Sequence, residues 1–261
     1  MKTLVALASL ALAGVCSAAS AAEVWTQVPG SGKLAWFGFD SGSVGVKVER
    51  NNGGKITYNG SGGQFAGRFY GNSSSSADEF FRFFCIDLSQ HAASGPFDYS
   101  ATELPSDPLA RLFDIAYPNK SLRDYYDSDN SAQTNFGRFD SGIASAAFQL
   151  AVWELFFDNS SSYSLGGGTF KSNTGADASG NAEQRAVAQA NAWLQQVKDG
   201  AGSAVGWTLY RFTNDSKQDY LSAVYREPPQ TTTERTVPEP GTLSILGLGI
   251  AALGALRRRR R

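Results

Sequence analysis

Residues 79–88 read Glu79-Phe80-Phe81-Arg82-Phe83-Phe84-Cys85-Ile86-Asp87-Leu88. Apolar side chains fall on both faces: Phe81, Phe83 and Cys85 on one, Phe84, Ile86 and Leu88 on the other. A strand that is apolar on both faces needs cover on both sides. This stretch therefore predicts a central, buried strand, and the rest of the domain has to supply two covering layers.

Working outward from it, the N-terminal half reads as further strands. Candidates are residues 24–28, Lys33–Phe39, Val44–Val48, Lys55–Tyr58 and Gln64–Tyr70. Val44, Val46 and Val48 alternate with Gly45 and Lys47, the period of a half-buried strand. Asn51-Asn52-Gly53-Gly54 predicts the hairpin turn that follows. On the C-terminal side the period changes. Pro108–Tyr117 fits a short helix with proline in its first turn, ended by Pro118. Ile143–Phe157 fits a helix of about four turns, capped by Ser141 and closed by Asp158. Ala182–Lys198 fits a third, capped by Asn181, with Ala186, Ala190, Trp193 and Val197 at helical spacing. Residues 71–76, 119–140 and 161–180 read as polar loops, and Gly166-Gly167-Gly168 as plain loop. Strands return at Val205–Phe212 and Tyr220–Tyr225. The expected class is α+β: a β-rich domain, sandwich or barrel-like, with an inserted cluster of about three helices.

Composition narrows the function. Residues 23–226 suit one domain and hold 16 Lys+Arg against 21 Asp+Glu, a net charge of −5. An acidic domain without basic clusters argues against a nucleic-acid partner. No His/Cys cluster has metal-ligand spacing and no glycine-rich phosphate loop appears, so no metal or cofactor is expected. The two ends point to export. Met1-Lys2 followed by an apolar run and small residues forms a secretory signal, with cleavage expected after Ala22 and a mature start at Glu23. Cys16 falls within the discarded part, with lipidation the alternative. Cys85 is then the single cysteine of the mature chain. In an oxidising compartment a lone cysteine is an inert core thiol, a bridge to another chain, or chemically committed elsewhere.

A Pro/Thr linker at 227–236 leads to Val237-Pro238-Glu239-Pro240-Gly241, an apolar run to Leu256, and Arg257–Arg261. The run is short for a spanning helix, which needs about 20 residues. Its arginines would hold that end in the cytoplasm. Residues 237–261 resemble the PEP-CTERM sorting signal, with Pro238, Glu239 and Pro240 as its turn; an ordinary tail anchor is the alternative. The resemblance implies an exosortase-type membrane protease as partner. It also implies transient residence in the inner membrane, and delivery to the surface or extracellular matrix of an exopolysaccharide-making Gram-negative cell.

Two further stretches carry a second resemblance. Phe83-Phe84-Cys85-Ile86-Asp87, then Ala116-Tyr117-Pro118, then Phe148-Gln149-Leu150-Ala151-Val152-Trp153-Glu154 follow the order found in the Cys–Gln thioester domains of bacterial surface adhesins. The likeness spans about residues 80–200. Phe148 departs from the pattern, since the family usually has threonine there. The resemblance implies a crosslink between Cys85 and Gln149, supported by Phe84, Asp87, Phe148, Ala151 and Trp153. Phe83, Phe84, Phe148 and Trp153 are expected to shield it from water. It implies no turnover: the thiol displaces ammonia from the glutamine amide, and a partner's amine or hydroxyl opens the thioester once. Only the fold can join groups so far apart in sequence, and positioning of this kind is worth about 7–11 kcal/mol of barrier.

Other readings stand beside it. Asp87 either assists proton transfer or bonds backbone in the following turn. Glu154 is expected to be a solvated helix residue. A cysteine hydrolase using Cys85 and His91 lacks a third orienting group, and residues six apart across a strand end look poorly placed. A non-covalent matrix protein binding extracellular polysaccharide or a surface protein would use aromatic platforms such as Tyr58, Tyr70, Tyr125 and Tyr126.

Overall fold

The computed structural model describes residues 31–71, 79–118, 137–158 and 162–225. The expected signal peptide, the candidate strand at 24–28, the expected linker and the C-terminal tail lie outside them. Among the described residues no helix is long and apolar enough to cross a membrane.

Six strands close into an antiparallel barrel: β1 (Ser31–Phe39), β4 (Phe65–Gly71), β5 (Glu79–Cys85), β9 (Lys217–Tyr225), β8 (Trp207–Asn214) and β6 (Pro96–Glu103), in that order around the wall. A separate three-stranded sheet runs β3 (Ile56–Gly62), β2 (Val44–Arg50), β7 (Phe170–Ser172). The hairpin expected at Asn51–Gly54 joins β2 to β3, pairing Arg50 with Ile56. Gly53 and Gly54 both take positive φ there, a conformation that costs glycine least. Three helices, α1 (Asp107–Ala116), α2 (Gly142–Phe157) and α3 (Ala182–Lys198), complete the domain. The β-rich architecture with a helical cluster agrees with the sequence expectation, in its barrel form.

The helix ends follow local chemistry. Ser106, Ser141 and Asn181 each turn a side-chain oxygen back to a first-turn N–H, and Asn181 with Gln184 forms a full capping box. Such caps satisfy amides that the helix itself leaves open. Helix α2 is buried around almost its whole circumference, with Ala146, Ala147, Phe148, Leu150, Ala151 and Val152 closed off from solvent. A helix apolar on all faces belongs in the middle of a protein. Here α2 packs on α1 and α3 and on strands from both sheets.

Strand β5 has the two-sided cover its sequence demanded. Phe83 faces the barrel interior, 5.7 Å from Phe65 and 4.6 Å from Tyr220 between ring centroids. Phe84 faces the helices, where Phe148 (4.7 Å), Phe113, Tyr117 and Phe139 surround it. Gly67 on β4 lets the walls approach: a Cβ there would lie 2.3 Å from the Ala35 carbonyl oxygen and 2.7 Å from the Phe83 ring.

Several boundaries differ from the sequence reading. β5 stops at Cys85 rather than Leu88. The Asp87 carboxylate accepts hydrogen bonds from the Ser89 N–H (2.7 Å) and hydroxyl (2.6 Å), so the chain turns there. The loop expected at 161–180 contains β7, a three-residue strand paired to β2; three residues are too short to show a period. Val205 is 63% exposed and precedes β8. On α3, Leu194 takes the core place and Trp193 is only partly buried.

Glu154, expected in solvent, is fully buried. One oxygen accepts the Ser164 N–H at 2.8 Å. The other is buried without a hydrogen-bond partner among the described residues. Asp158 accepts from the Thr169 N–H and hydroxyl, each at 3.1 Å. These two carboxylates fasten the segment before β7 to the end of α2. Burial pushes the Glu154 carboxyl up to about 8, opposed by the Ser164 N–H and reinforced by Asp158.

Two outcomes follow for the folded chain. Phe84→Ala should cost about 3–5 kcal/mol, the range for emptying a buried aromatic site, read from urea unfolding of the exported protein. Glu154 binds its proton more tightly folded than unfolded. Its contribution is therefore complete below its ordinary value of 4.5 and is lost as pH rises toward about 8. Glu154→Gln should flatten the fall in Tm across that interval. Glu49, held down to about 2 by hydrogen bonds from Lys55 and Asn51, acts below that interval and leaves it undisturbed.

Candidate functional site

Cys85 is the last residue of β5, and Gln149 sits mid-helix in α2, 64 residues later. Gln149 is wholly buried. A buried amide must find partners, because each polar group left unmet costs about 1–3 kcal/mol. Its partners are both on one residue. The Cys85 N–H donates to Gln149 Oε1 at 2.9 Å, and Gln149 Nε2 donates to the Cys85 carbonyl oxygen at 2.8 Å. The side-chain amide thus docks on the Cys85 peptide as a neighbouring strand would, at the point where β5 gives up regular pairing. α2 comes this close to the strands because the chain at Gly63 has no side chain: a Cβ there would meet Ser145 Oγ at 3.1 Å and the Gly42 carbonyl at 2.9 Å. The Ser145 hydroxyl in turn accepts the Gln64 N–H at 2.7 Å, tying α2 to the start of β4.

The thiol is 3% exposed and donates to the Asp87 carbonyl oxygen at 2.9 Å. Burial pushes it up to about 12, while the Asp87 backbone and the Trp153 indole pull the other way. Among the described residues the Trp153 N–H meets no acceptor in full hydrogen-bonding geometry, the thiol on which it acts included. Beside Cys85 and Gln149 opens a cavity of about 220 Å³. Phe39, Tyr58, Phe65 and Trp153 form its apolar walls, and Ser61, Gln90, His91, Ala92 and Gln218 complete it. Tyr58 meets Trp153 edge to face at 5.6 Å and donates its hydroxyl to the Ser61 carbonyl oxygen.

The sequence-derived site residues divide into two groups. Cys85, Gln149 and Trp153 meet at the cavity. Ala151 is buried in α2 as packing, while Phe84 and Phe148 meet at a tilt in the aromatic cluster among the helices. Phe83, Phe84 and Phe148 do not line the cavity; Phe39, Tyr58 and Phe65 take the shielding place expected of them. The Phe148 ring fills core among the helices. The Asp87 carboxylate is committed to Ser89, which is the turn-bonding alternative, while its carbonyl serves the thiol.

Sequence reasoning missed the far wall. Gln218, on β9, is 5% exposed. It donates through Nε2 to the Asp87 and Gln90 carbonyl oxygens at 3.0 and 3.2 Å. That clamp holds the turn after β5 and brings His91 back to the cavity. The separation that looked unfavourable for His91 is undone by the turn at Asp87–Ser89. The thiol nonetheless bonds the Asp87 carbonyl, not the imidazole. Of the aromatic platforms, Tyr58 is a cavity wall; Tyr125, Tyr126 and the Tyr70 side chain lie outside the described residues.

Comparison with known proteins adds the following. Residues 236–261 match the PEP-CTERM protein-sorting motif, which marks a secreted protein sorted at the membrane and processed there by exosortase. No curated protein matches the chain. Among solved structures, the N-terminal domain of the Streptococcus pyogenes pilus tip adhesin Cpa is similar at 14% identity and a TM-score of 0.35, covering 62% of this chain and 84% of that one. A likeness that distant carries no argument about this site.

Proposed function

We propose that the protein is an exported surface or extracellular-matrix adhesin that joins Cys85 to Gln149 in an internal thioester and couples once to an amine or hydroxyl of its partner. One observation carries this reading: the Gln149 amide is held against the Cys85 peptide by two hydrogen bonds, in a buried site that opens on a cavity. A lone inert thiol needs no such arrangement.

The chemistry balances with the groups present. Cys85 Sγ attacks the Gln149 side-chain carbonyl carbon. The S–C bond forms and the C–N bond breaks. The thiol proton goes to Nε2, which leaves as ammonia. The Cys85 N–H already donates to the oxygen on which negative charge develops, and a preset donor of that kind stabilises a tetrahedral intermediate. Burial works against the thiolate, so the proton and the sulfur must move together. In the second stage a nucleophile attacks the same carbon, the C–S bond breaks, and Gln149 keeps the partner as an amide or ester. The expected targets are a surface protein amine or a hydroxyl of extracellular polysaccharide.

The intact mass of the exported chain, purified without thiols and denatured just before measurement, should fall short of its sequence by one ammonia. Methylamine should add at Gln149 and release one titratable thiol, and Cys85→Ala should do neither. A full mass with a free thiol would instead favour a non-covalent matrix protein associated with exopolysaccharide. A hydrolase would show turnover of activated esters, lost on His91→Ala. Exosortase processing makes a separate prediction: mass spectrometry of surface material should find no Arg257–Arg261, whereas the membrane intermediate retains it.

A further inference from the structure

Opening a buried thioester poses a proton problem that Cys85 and Gln149 do not solve between them. An attacking amine must lose a proton once its nitrogen is bound to carbon, and the sulfur that departs must gain one. Burial, which raises the thiol's affinity for its proton, makes departure as a bare thiolate expensive.

The cavity holds the groups for this step. Gln218 Oε1 and Gln90 Oε1 are buried acceptors without a hydrogen-bond partner among the described residues, and both residues line the cavity. Gln218 is fixed by its own Nε2, which donates to the turn, so its carbonyl stays free for a donor that is not part of the fold. Buried acceptors are almost always paired, and two unpaired ones at one cavity are placed to receive an N–H or O–H group that enters it. His91 lies on the same cavity and is exposed at its open side. It is the single histidine of the chain.

The other titratable groups nearby are engaged or buried: the Tyr220 hydroxyl, beside Tyr99 and within electrostatic reach of the thiol, is pushed up by burial. The Tyr58 hydroxyl donates to the Ser61 carbonyl oxygen and burial pushes it up to about 12. The Asp87 carboxylate is held by Ser89, and Asp219 by the Arg211 guanidinium at 2.8 Å. Both aspartates act on the thiol only through space.

Resting on the thioester reading, we propose that His91 is the proton carrier of the capture step, taking the proton from the nucleophile held at the Gln218 and Gln90 carbonyls and returning it to the Cys85 sulfur. The step balances. The amine nitrogen bonds to the Gln149 carbonyl carbon, the C–S bond breaks, and one proton passes from nitrogen to imidazole to sulfur. The imidazole ends as it began.

The test is the rate of methylamine capture by the exported protein, followed by intact mass and scored only on molecules that start with the ammonia deficit. His91→Ala should slow capture roughly a hundredfold, the usual scale of general acid–base assistance. Added free imidazole should restore much of it, which a merely structural role would not allow. Because the chain has one histidine, wild-type protein already carrying the deficit can also be treated with diethyl pyrocarbonate, and should slow likewise without refolding or maturation being involved. Capture at an unchanged rate in the treated wild type would overturn the role of His91 and leave the thioester standing. Absence of the ammonia deficit from the wild type would remove the thioester itself.

Discussion

Burying a glutamine amide at the centre of the molecule imposes the constraint on which the domain's arrangement turns. Gln149 has no access to water, and its two hydrogen bonds to the Cys85 peptide are what make that position tolerable. To supply them, β5 must end where it does, α2 must lie across that end, and the chain at Gly63 must be bare enough to let the helix in. The barrel and the helical layer are therefore registered to one another by a polar contact inside an apolar core. Hydrophobic packing of Phe84 against Phe148, Phe113 and Phe139 provides most of the adhesion between the layers but is far less particular about register.

Polar groups in the interior are treated in two ways. Some tie the frame together: the Gln64 N–H donates to the Ser145 hydroxyl and its Nε2 to the Gly137 carbonyl, while its Oε1 has no partner among the described residues, and Ser222 donates to the Arg82 carbonyl. Around Cys85 the accounts are left open, with the Trp153 donor and the Gln90 and Gln218 acceptors unfilled. Buried polar groups left unpaired are exceptions that call for an explanation, and others among the described residues, at Ser41, Arg50, Gln64 and Tyr220, lie off the cavity lining. Glu154 is a different case. Its unfilled oxygen lies away from the cavity lining, and its cost is borne at the junction between α2 and β7.

The same burial that protects a thioester from water also makes its sulfur a poor nucleophile and a poor leaving group. A cysteine hydrolase would resolve that conflict with an imidazole bonded to the thiol; here the thiol bonds a backbone carbonyl. The proposed coupling, slow in formation and opened on demand, is compatible with a thiol held in this way. Export and sorting would put the proposed coupling at the cell exterior, where a covalent bond to a partner resists being washed away.

Much of this was legible in the sequence because it depends on neighbours in the chain. The two-sided apolar run 79–88 announced a covered strand, Pro108, Ser141 and Asn181 announced helix starts, and Val237–Arg261 carried its sorting signal in linear order. Cys85 and Gln149 were legible as types in an expected order. Their meeting was not, since 64 residues separate them and only the packing of α2 on β5 joins them. Three features had no local signal at all: β7, which exists only because β2 offers it an edge; the burial of Glu154, which depends on the loop that folds over α2; and the return of His91 to the cavity, which depends on Gln218 clamping the turn from β9. Periodicity and caps are short-range effects, so sequence determined the elements and the exported, sorted character of the chain. Which polar groups end up buried together is decided by long-range contacts, and the tertiary structure alone determined the site.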